Sequence, residues 1–321
     1  MVISFGSINM DLVVLCDRLP VEGETLVATG WLVNPGGKGA NQAVQSARMG
    51  AETVMVGRVG EDSFGQQAIA GLGRYGVEVR SVAVDPAAPT GVACILVEPG
   101  GENRIVVVPG ANGDVGLSEV ETLQRLVTTD AVVMLQCEVP FSAVREAARI
   151  AHAKGATVLL DPSPWQRVVL EPHVFEDIDY LTPNEHEAQG LSGTSDLQDA
   201  ARRLGDMGAR TVIIKRGVEG VLLFRGGVCK EVAAFAVTAI DTTAAGDSFQ
   251  GALAASLNRG LSEDEAVMRA VAAGALTVTR RGAQQSMPDE AEVTRFLRAR
   301  SGNVVLGLET RIMDQKGEEE T

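Results

Sequence analysis

Asp241-Thr-Thr-Ala-Ala-Gly-Asp-Ser-Phe-Gln-Gly251 combines two carboxylates with a run of small residues. An apolar run over 232–240 enters it and reads as a strand, and a small-residue helix over 249–257 leaves it. Thr, Ala and Gly leave backbone N–H groups open to close approach, and a helix N-terminus favours an anion at that point. Asp247 stands about where the anion would sit. A carboxylate beside a phosphate is costly unless it has a task such as taking a proton. The same residues also make an ordinary helix start with Asp247 as its cap. The stretch by itself leaves both readings open.

Other polar residues fall at comparable places. Asn9 and Asp11, just past the apolar run 2–5, would point to one face of extended chain. Such a pair can grip hydroxyl groups or belong to a surface turn. Asn34-Pro-Gly-Gly-Lys-Gly-Ala-Asn41 opens a helix reaching about residue 48. Gly36, Gly37 and Gly39 let backbone pass close to a ligand, with Lys38 and Asn41 as donors. A loop that merely turns the chain is the alternative. It is not a Walker A loop, because Gly39 stands where Ser or Thr is required. Gly71-Leu-Gly-Arg-Tyr-Gly76 formally matches the dinucleotide fingerprint. Its glycines end a helix, whereas the fingerprint follows a strand, so they read as a helix C-cap.

These residues need a frame to hold them. Strand 53–59 leads to a helix over 64–75, capped by Asp62-Ser63. Beyond residue 115 the alternation is regular: helix 118–126, strand 131–136, helix 141–154, strand 157–160, strand 179–181, helix 197–207 and strand 211–214. Helices 263–280 and 289–298 close the body. The pattern predicts an α/β fold, a mostly parallel sheet with helices on both faces. Two segments lack helices. Strands 12–15 and 25–33, and strands 90–97 and 104–109 around Pro99-Gly-Gly-Glu-Asn103, form hairpins that can join as one accessory sheet. The expected division is a core of 1–11, 35–89 and 110–300, a small sheet of 12–34 and 90–109, and a mobile tail, 301–321. Ligands on parallel sheets bind at the carboxyl ends of strands. The residues there are polar or small nearly throughout: Asn9 and Asp11, Glu138, Asp161, Asn184 and Glu187, Lys215 to Gly217, and Asp241 to Asp247.

Composition narrows the classes. A formal charge of −14 over 321 residues argues against a nucleic-acid surface, although a local nest of N–H groups can still hold an anion. No apolar run approaches the roughly 20 residues that span a bilayer. The N-terminus has no basic segment before an apolar one, so no signal peptide is expected and the cytoplasm is the expected compartment. Cys16, Cys94, Cys137 and Cys229 lie in or beside apolar runs, which predicts buried thiols, no disulfide framework and no zinc. His152, His173 and His186 lack ligand spacing.

Asn9-x-Asp11, Gly36-Gly-Lys-Gly-Ala-Asn41, Thr182-Pro-Asn-Glu-His-Glu187 and Asp241-Thr-Thr-Ala-Ala-Gly-Asp247 occur in an order that resembles the ribokinase (PfkB) family of sugar kinases, over about residues 1–300. Gly36-Gly-Lys-Gly-Ala-Asn-Gln-Ala43 and Thr279-Arg-Arg-Gly-Ala-Gln284 are similar to its ribokinase branch.

The resemblance implies a Rossmann-like core with a β-sheet lid that doubles as a homodimer contact. It implies ATP-dependent phosphorylation of the 5-hydroxymethyl group of D-ribose to D-ribose 5-phosphate. Asp247 would be the base, with an anion hole at Ala244, Ala245 and Gly246. Sugar would lie against Asn9, Asp11, Gly37, Lys38, Gly39, Ala40, Asn41, Glu138 and Asp247. The nucleotide would run along Asn184, Lys215, Arg216, Gly217, Val218, Glu219, Gly220, Gly246 and Asp247. Asn184 and Glu187 would arrange Mg2+ indirectly. Asp241, Thr243, Thr277, Arg280, Gly282 and Ser286 would hold K+. Ala244 departs from a Gly common in the wider family, and Val271 falls where some ribokinases carry a polar residue near adenine. Two other functions fit the same residues: a kinase for another small sugar or nucleoside, such as deoxyribose or adenosine, and a non-catalytic sugar-binding protein on this fold.

Overall fold

A computed structural model describes residues 1–99 and 103–304. The first strand, β1 (Val2–Phe5), is buried along its whole length in the middle of a nine-stranded sheet. Its side chains alternate between two apolar layers, Val2 on one face and Ile3 and Phe5 on the other, as the period of a strand requires. Gly6-Ser7-Ile8 leads directly into β2 (Asn9–Leu15), which belongs to a second sheet. Next come β3 (Gly30–Gly36), α1 (Lys38–Arg48), β4 (Thr53–Gly60), α2 (Ser63–Arg74), β5 (Val82–Asp85), β6 (Gly91–Val97) and β7 (Asn103–Val108). The alternating half follows with α3 (Leu117–Leu126), β8 (Val132–Gln136), α4 (Phe141–Ala153), β9 (Thr157–Asp161), β10 (Tyr180–Leu181), α5 (Glu185–Ser192), α6 (Leu197–Asp206) and β11 (Thr211–Lys215). The chain then passes through β12 (Val221–Arg225), β13 (Val228–Val232), α7 (Ala245–Asn258), α8 (Glu263–Thr277) and α9 (Glu290–Val304).

The large sheet runs β13-β12-β11-β10-β9-β8-β1-β4-β5 and is parallel except for the β12–β13 hairpin at one edge. Strand order builds outward from β1 in both directions, which leaves a crevice at the carboxyl ends beside it. Leu123 of α3, Val144 of α4 and Leu204 of α6 pack on one face, and Leu253 of α7 and Val267 of α8 on the other. The small sheet runs β3-β2-β6-β7, with β2 parallel to β6. Asn9 is thereby opposite Gly36 on one side and Gly91 on the other.

The α/β expectation and the single accessory sheet match what is observed. Several details differ. Residues 233–239 form no strand: β13 ends at Val232, and the apolar residues that follow line a cavity. Residues 25–29 are likewise not strand, since β3 starts at Gly30. The β12–β13 hairpin turns through Gly226-Gly227, both at positive φ, and has no counterpart among the sequence-derived elements. Helix α9 runs to Val304, so the expected tail begins no earlier than residue 305; residues 305–321 and the hairpin turn 100–102 lie outside the described residues. Cys16 and Cys137 are buried, but Cys94 is exposed on the small sheet and Cys229 is half-buried; all four are free thiols. Among the described residues no helix is long and apolar enough to cross a membrane.

Candidate active site

Helix α7 starts at the crevice, and its first residues decide how Asp247 is used. Ala244 is the N-cap at φ 59°, in the left-handed region. That conformation costs an L-residue roughly 1–2 kcal/mol, so the surroundings must hold it. Asp247 sits in the first turn and makes no capping bond to its own helix. Its two oxygens accept from Asn41 Nδ2 at 3.0 Å and Gln42 Nε2 at 3.1 Å. Capping therefore does not explain this carboxylate. Burial pushes its pKa up, Lys38 opposes that, Asp161 adds to it, and the net direction is upward.

Asn41 and Gln42 reach Asp247 because α1 and α7 approach closely. A Cβ on Gly251, one turn after Asp247, would stand 2.5 Å from the Gln42 carbonyl oxygen. Helix α1 is itself set against the β1–β2 junction by glycine. Gly37 has φ 87°, and a Cβ there would lie 2.7 Å from the Asn9 nitrogen.

Around this junction the expected sugar residues converge. Glu138, just past β8, accepts from Ser7 Oγ at 2.5 Å and from the Lys38 backbone N–H at 3.0 Å. Asn9 Oδ1 accepts from Asn112 Nδ2 at 2.7 Å, and Asn112 also pairs with both backbone groups of Ile8. The Asn9 carbonyl is thus occupied from behind. Asp11 has its pKa raised to about 7, first by burial and then by the charges of Glu138 and Asp247. Gly39 donates to Ser7 Oγ, and Ala40 donates its N–H to the Ser7 carbonyl at 2.9 Å.

On the other side of Lys38 lies a cavity of about 670 Å3. Its polar end holds Lys38, Asp161, Asn184, Glu187 and Lys215. Asp161 is buried and takes Lys215 Nζ at 3.2 Å and Lys38 Nζ at 3.8 Å. Burial opposes the Lys38 charge, but Asp161, Asp247, Glu138 and Glu187 outweigh it and hold the ammonium protonated. Lys215 Nζ also stands against the start of α7, 3.4 Å from where a Cβ on Gly246 would be. Asn184 and Glu187 form a reciprocal capping box on α5, both bonds at 2.8 Å. The far end of the cavity is apolar, with Phe235, Val237, Phe249, Val271 and Val278. Gly217, Val218 and Gly220 line it as well. Arg216 instead pairs with Glu231 at 3.0 Å, and neither it nor Glu219 lines the cavity.

The expected cation residues gather behind the α7 start. Asp241 accepts from the Thr243 N–H at 2.9 Å and the Gly282 N–H at 2.8 Å. Burial acts against its charge, but these bonds prevail and its pKa is lowered. Ser286 Oγ donates to the Ala283 carbonyl within the same loop. Thr277 Oγ1 bonds Ser248 Oγ, and the Arg280 guanidinium is taken up by Glu292. No group of three or more His, Cys, Asp or Glu side chains forms a metal cluster among the described residues.

Sequence reading assigned no role to Asp161, although it fell among the strand-end residues, and it passed over Ser7, Gln42, Asn112 and Gln136. Their signal was faint: a polar side chain at a buried position becomes visible only once packing is known.

The model of the pfkB family of carbohydrate kinases matches residues 1–290. The chain belongs to that family. A Haemophilus influenzae ribokinase is 37% identical to this pfkB-family chain over 91% of its length and 96% of the relative's. A Salmonella typhi deoxyribokinase is 33% identical over 91% of the chain and 97% of the relative. The structure of an Arabidopsis thaliana ribokinase complexed with ribose and ATP superposes with a TM-score of 0.82 at 33% identity, covering 92% of this chain and 98% of that one. The α/β core with its smaller sheet is thus the pfkB architecture.

Proposed function

We propose that the protein transfers the γ-phosphoryl group of ATP to the 5-hydroxymethyl group of D-ribose, giving D-ribose 5-phosphate. The observation that carries this reading is the position of Asp247. It is a buried carboxylate in the first turn of α7, between the hydroxyl-binding cluster around Asn9, Asp11, Asn41 and Glu138 and the large cavity with its two lysines.

Phosphoryl transfer asks a protein for alignment, charge neutralisation and a proton acceptor. Asp247 takes the proton of the attacking hydroxyl as the new P–O bond forms and the bond from the γ-phosphorus to the bridging oxygen breaks, releasing ADP. Its raised pKa makes it the stronger base. Asn9 has its carbonyl tied to Asn112, so it offers its N–H2 to a sugar oxygen, while Asp11 and Glu138 accept from sugar hydroxyls. Backbone N–H groups at Ala244, Ala245 and Gly246 stabilise charge on the transferring phosphoryl group. Lys38 and Lys215, held by Asp161, neutralise the phosphate chain from the cavity side. The apolar end receives the base of the nucleotide. In our reading Asn184, Gly217, Val218 and Gly220 lie along the nucleotide, and Arg216 and Glu219 support that loop from outside.

Two metal ions belong to this proposal. Asn184 and Glu187, at the polar end of the cavity, would orient the shell of a Mg2+ that would neutralise phosphate charge there. The segment before α7 with Asp241 and Thr243, and the end of α8 with the chain that follows it, Thr277, Arg280, Gly282 and Ser286, together offer hard oxygen donors, a carboxylate and main-chain carbonyls, which suits K+. We further propose that the small sheet is a lid and homodimer contact, on the strength of Trp31, Leu32, Val106 and Val107 being exposed there. An ATP-consuming reaction on a free sugar fits the cytoplasm.

A substrate panel with ATP, Mg2+ and K+ tests the reading. D-Ribose is expected to be phosphorylated with a higher kcat/KM than 2-deoxyribose or adenosine. Turnover of either competitor with none on ribose would overturn it.

A further inference from the structure

We infer that Gln42 is a positioning residue that ties the proton acceptor Asp247 to the lysine cradle through Asp161. This rests on Asp247 being the base. Gln42 is fully buried on α1, and its single amide group faces both carboxylates. Nε2 carries two hydrogens, and two anionic acceptors stand within reach, Asp247 Oδ1 at 3.1 Å and Asp161 Oδ2 at 3.2 Å. Oε1 accepts from Gln136 Nε2 at 2.6 Å. That third bond fixes the orientation of the amide. Turned over, Gln42 would set its carbonyl against two carboxylates and its N–H2 against that of Gln136.

The arrangement depends on glycine on both sides. Gly251 admits α1 close enough to α7 for the reach to Asp247, and Gly6 leaves the space that the Gln136 carbonyl fills. The Gln136 carbonyl has no hydrogen-bond partner among the described residues, so Gln136 is aimed by packing and by Gln42.

Asp161 and Asp247 repel one another, and the amide lies between them as a shared donor. On the Asp161 side the same carboxylate carries Lys215 and Lys38. When Asp247 accepts the proton of the sugar hydroxyl, its hold on one N–H of Gln42 weakens, and Asp161 loses a like-charged neighbour. Proton acceptance on the sugar side is thereby linked to the charge that steadies the two lysines on the phosphate side. Asn41, the other donor to Asp247, has no such second carboxylate among the described residues; its carbonyl is taken by Gln284 Nε2 at 3.1 Å. The two donors therefore differ in role, although they are adjacent in sequence.

The test is Gln42→Met, which keeps the length and removes both donors, assayed for kcat, ribose KM and the pH dependence of kcat/KM. We expect kcat to fall roughly 10- to 100-fold with ribose KM changed less than ~3-fold. The acidic limb of the profile should move to higher pH, since Asp247 loses a stabilising donor. A limb that stays in place while kcat and melting temperature fall together would show a merely structural role and overturn the inference. Gln136→Met provides a second arm should the first variant fail to fold. It frees the amide to rotate and should move the limb the same way by less; an unmoved limb there counts against the inference too. Asp247→Asn, made in parallel, separates the two ideas: if it loses activity while both Gln variants are normal, only the role of Gln42 fails.

Discussion

The two walls of the crevice are built on different principles. The wall we assign to the sugar is regular structure, β1, β2, α1 and α7, in which Asn9, Asn41, Gln42 and Asp247 are each buried and hydrogen-bonded to a named partner. The wall we assign to the nucleotide takes much of its surface from residues 233–244, which have no ladder and are mostly exposed. The first wall can reject a ligand that lacks a hydroxyl, because a buried partner is then left unpaired. The second, in the proposed reading, would recognise its ligand by apolar contact, which discriminates weakly. Acceptor choice should thus be strict and base choice looser.

The largest effect that would break this contrast is at Asp247. Asp247→Asn is expected to lower kcat about 10²- to 10⁴-fold, with ribose affinity by calorimetry little changed. Steady-state rates close to the unmodified enzyme would remove the base from the sugar-side wall altogether.

A second effect comes from Asp11. Its carboxyl keeps its proton to about pH 7 in the folded chain and has an ordinary value of 3.8. Between those values the folded state binds more protons than the unfolded state, so stability falls as pH rises through that window and is level above it. The slope approaches ~1.4 kcal/mol per pH unit. In the ligand-free protein, Asp11→Asn should therefore flatten the melting temperature between about pH 4 and about pH 7. An identical slope in both proteins would mean that Asp11 is solvated and that the wall is less closed than described.

The smallest effect probes the other wall. Val237→Ala should raise the KM for ATP ~3- to 10-fold through lost apolar contact, without changing the ribose KM. A shift in the ribose KM would show that the two walls do not act independently.

How far the sequence could be read follows the same divide. Residues at the ends of parallel strands, such as Glu138, Asp161 and Lys215, were legible because strand periodicity says where a strand stops and chemistry begins. Gly37 and Gly39 were legible because few other demands put glycine beside Lys and Asn. The run 232–240 misled, since an apolar cavity lining and an apolar strand have the same composition. Gln42 and Asn112 were passed over because their partners lie far along the chain, at Asp161, Asp247 and Ile8. Such contacts arise from helix–sheet packing, which local patterning does not encode. The parallel pairing of β2 with β6 was hidden for the same reason.

The passage from β1 into β2 through Gly6-Ser7-Ile8 has a mechanical consequence. One continuous stretch of chain serves as a strand of both sheets, and Asn9 stands at the joint. A small rotation of the outer sheet about that joint carries Leu15, about 20 Å further along β2, through a long arc. The same rotation leaves Asn9 almost where it was. The residues we propose to grip the acceptor sit at the pivot, and the surface we propose as its cover sits at the end of the arm.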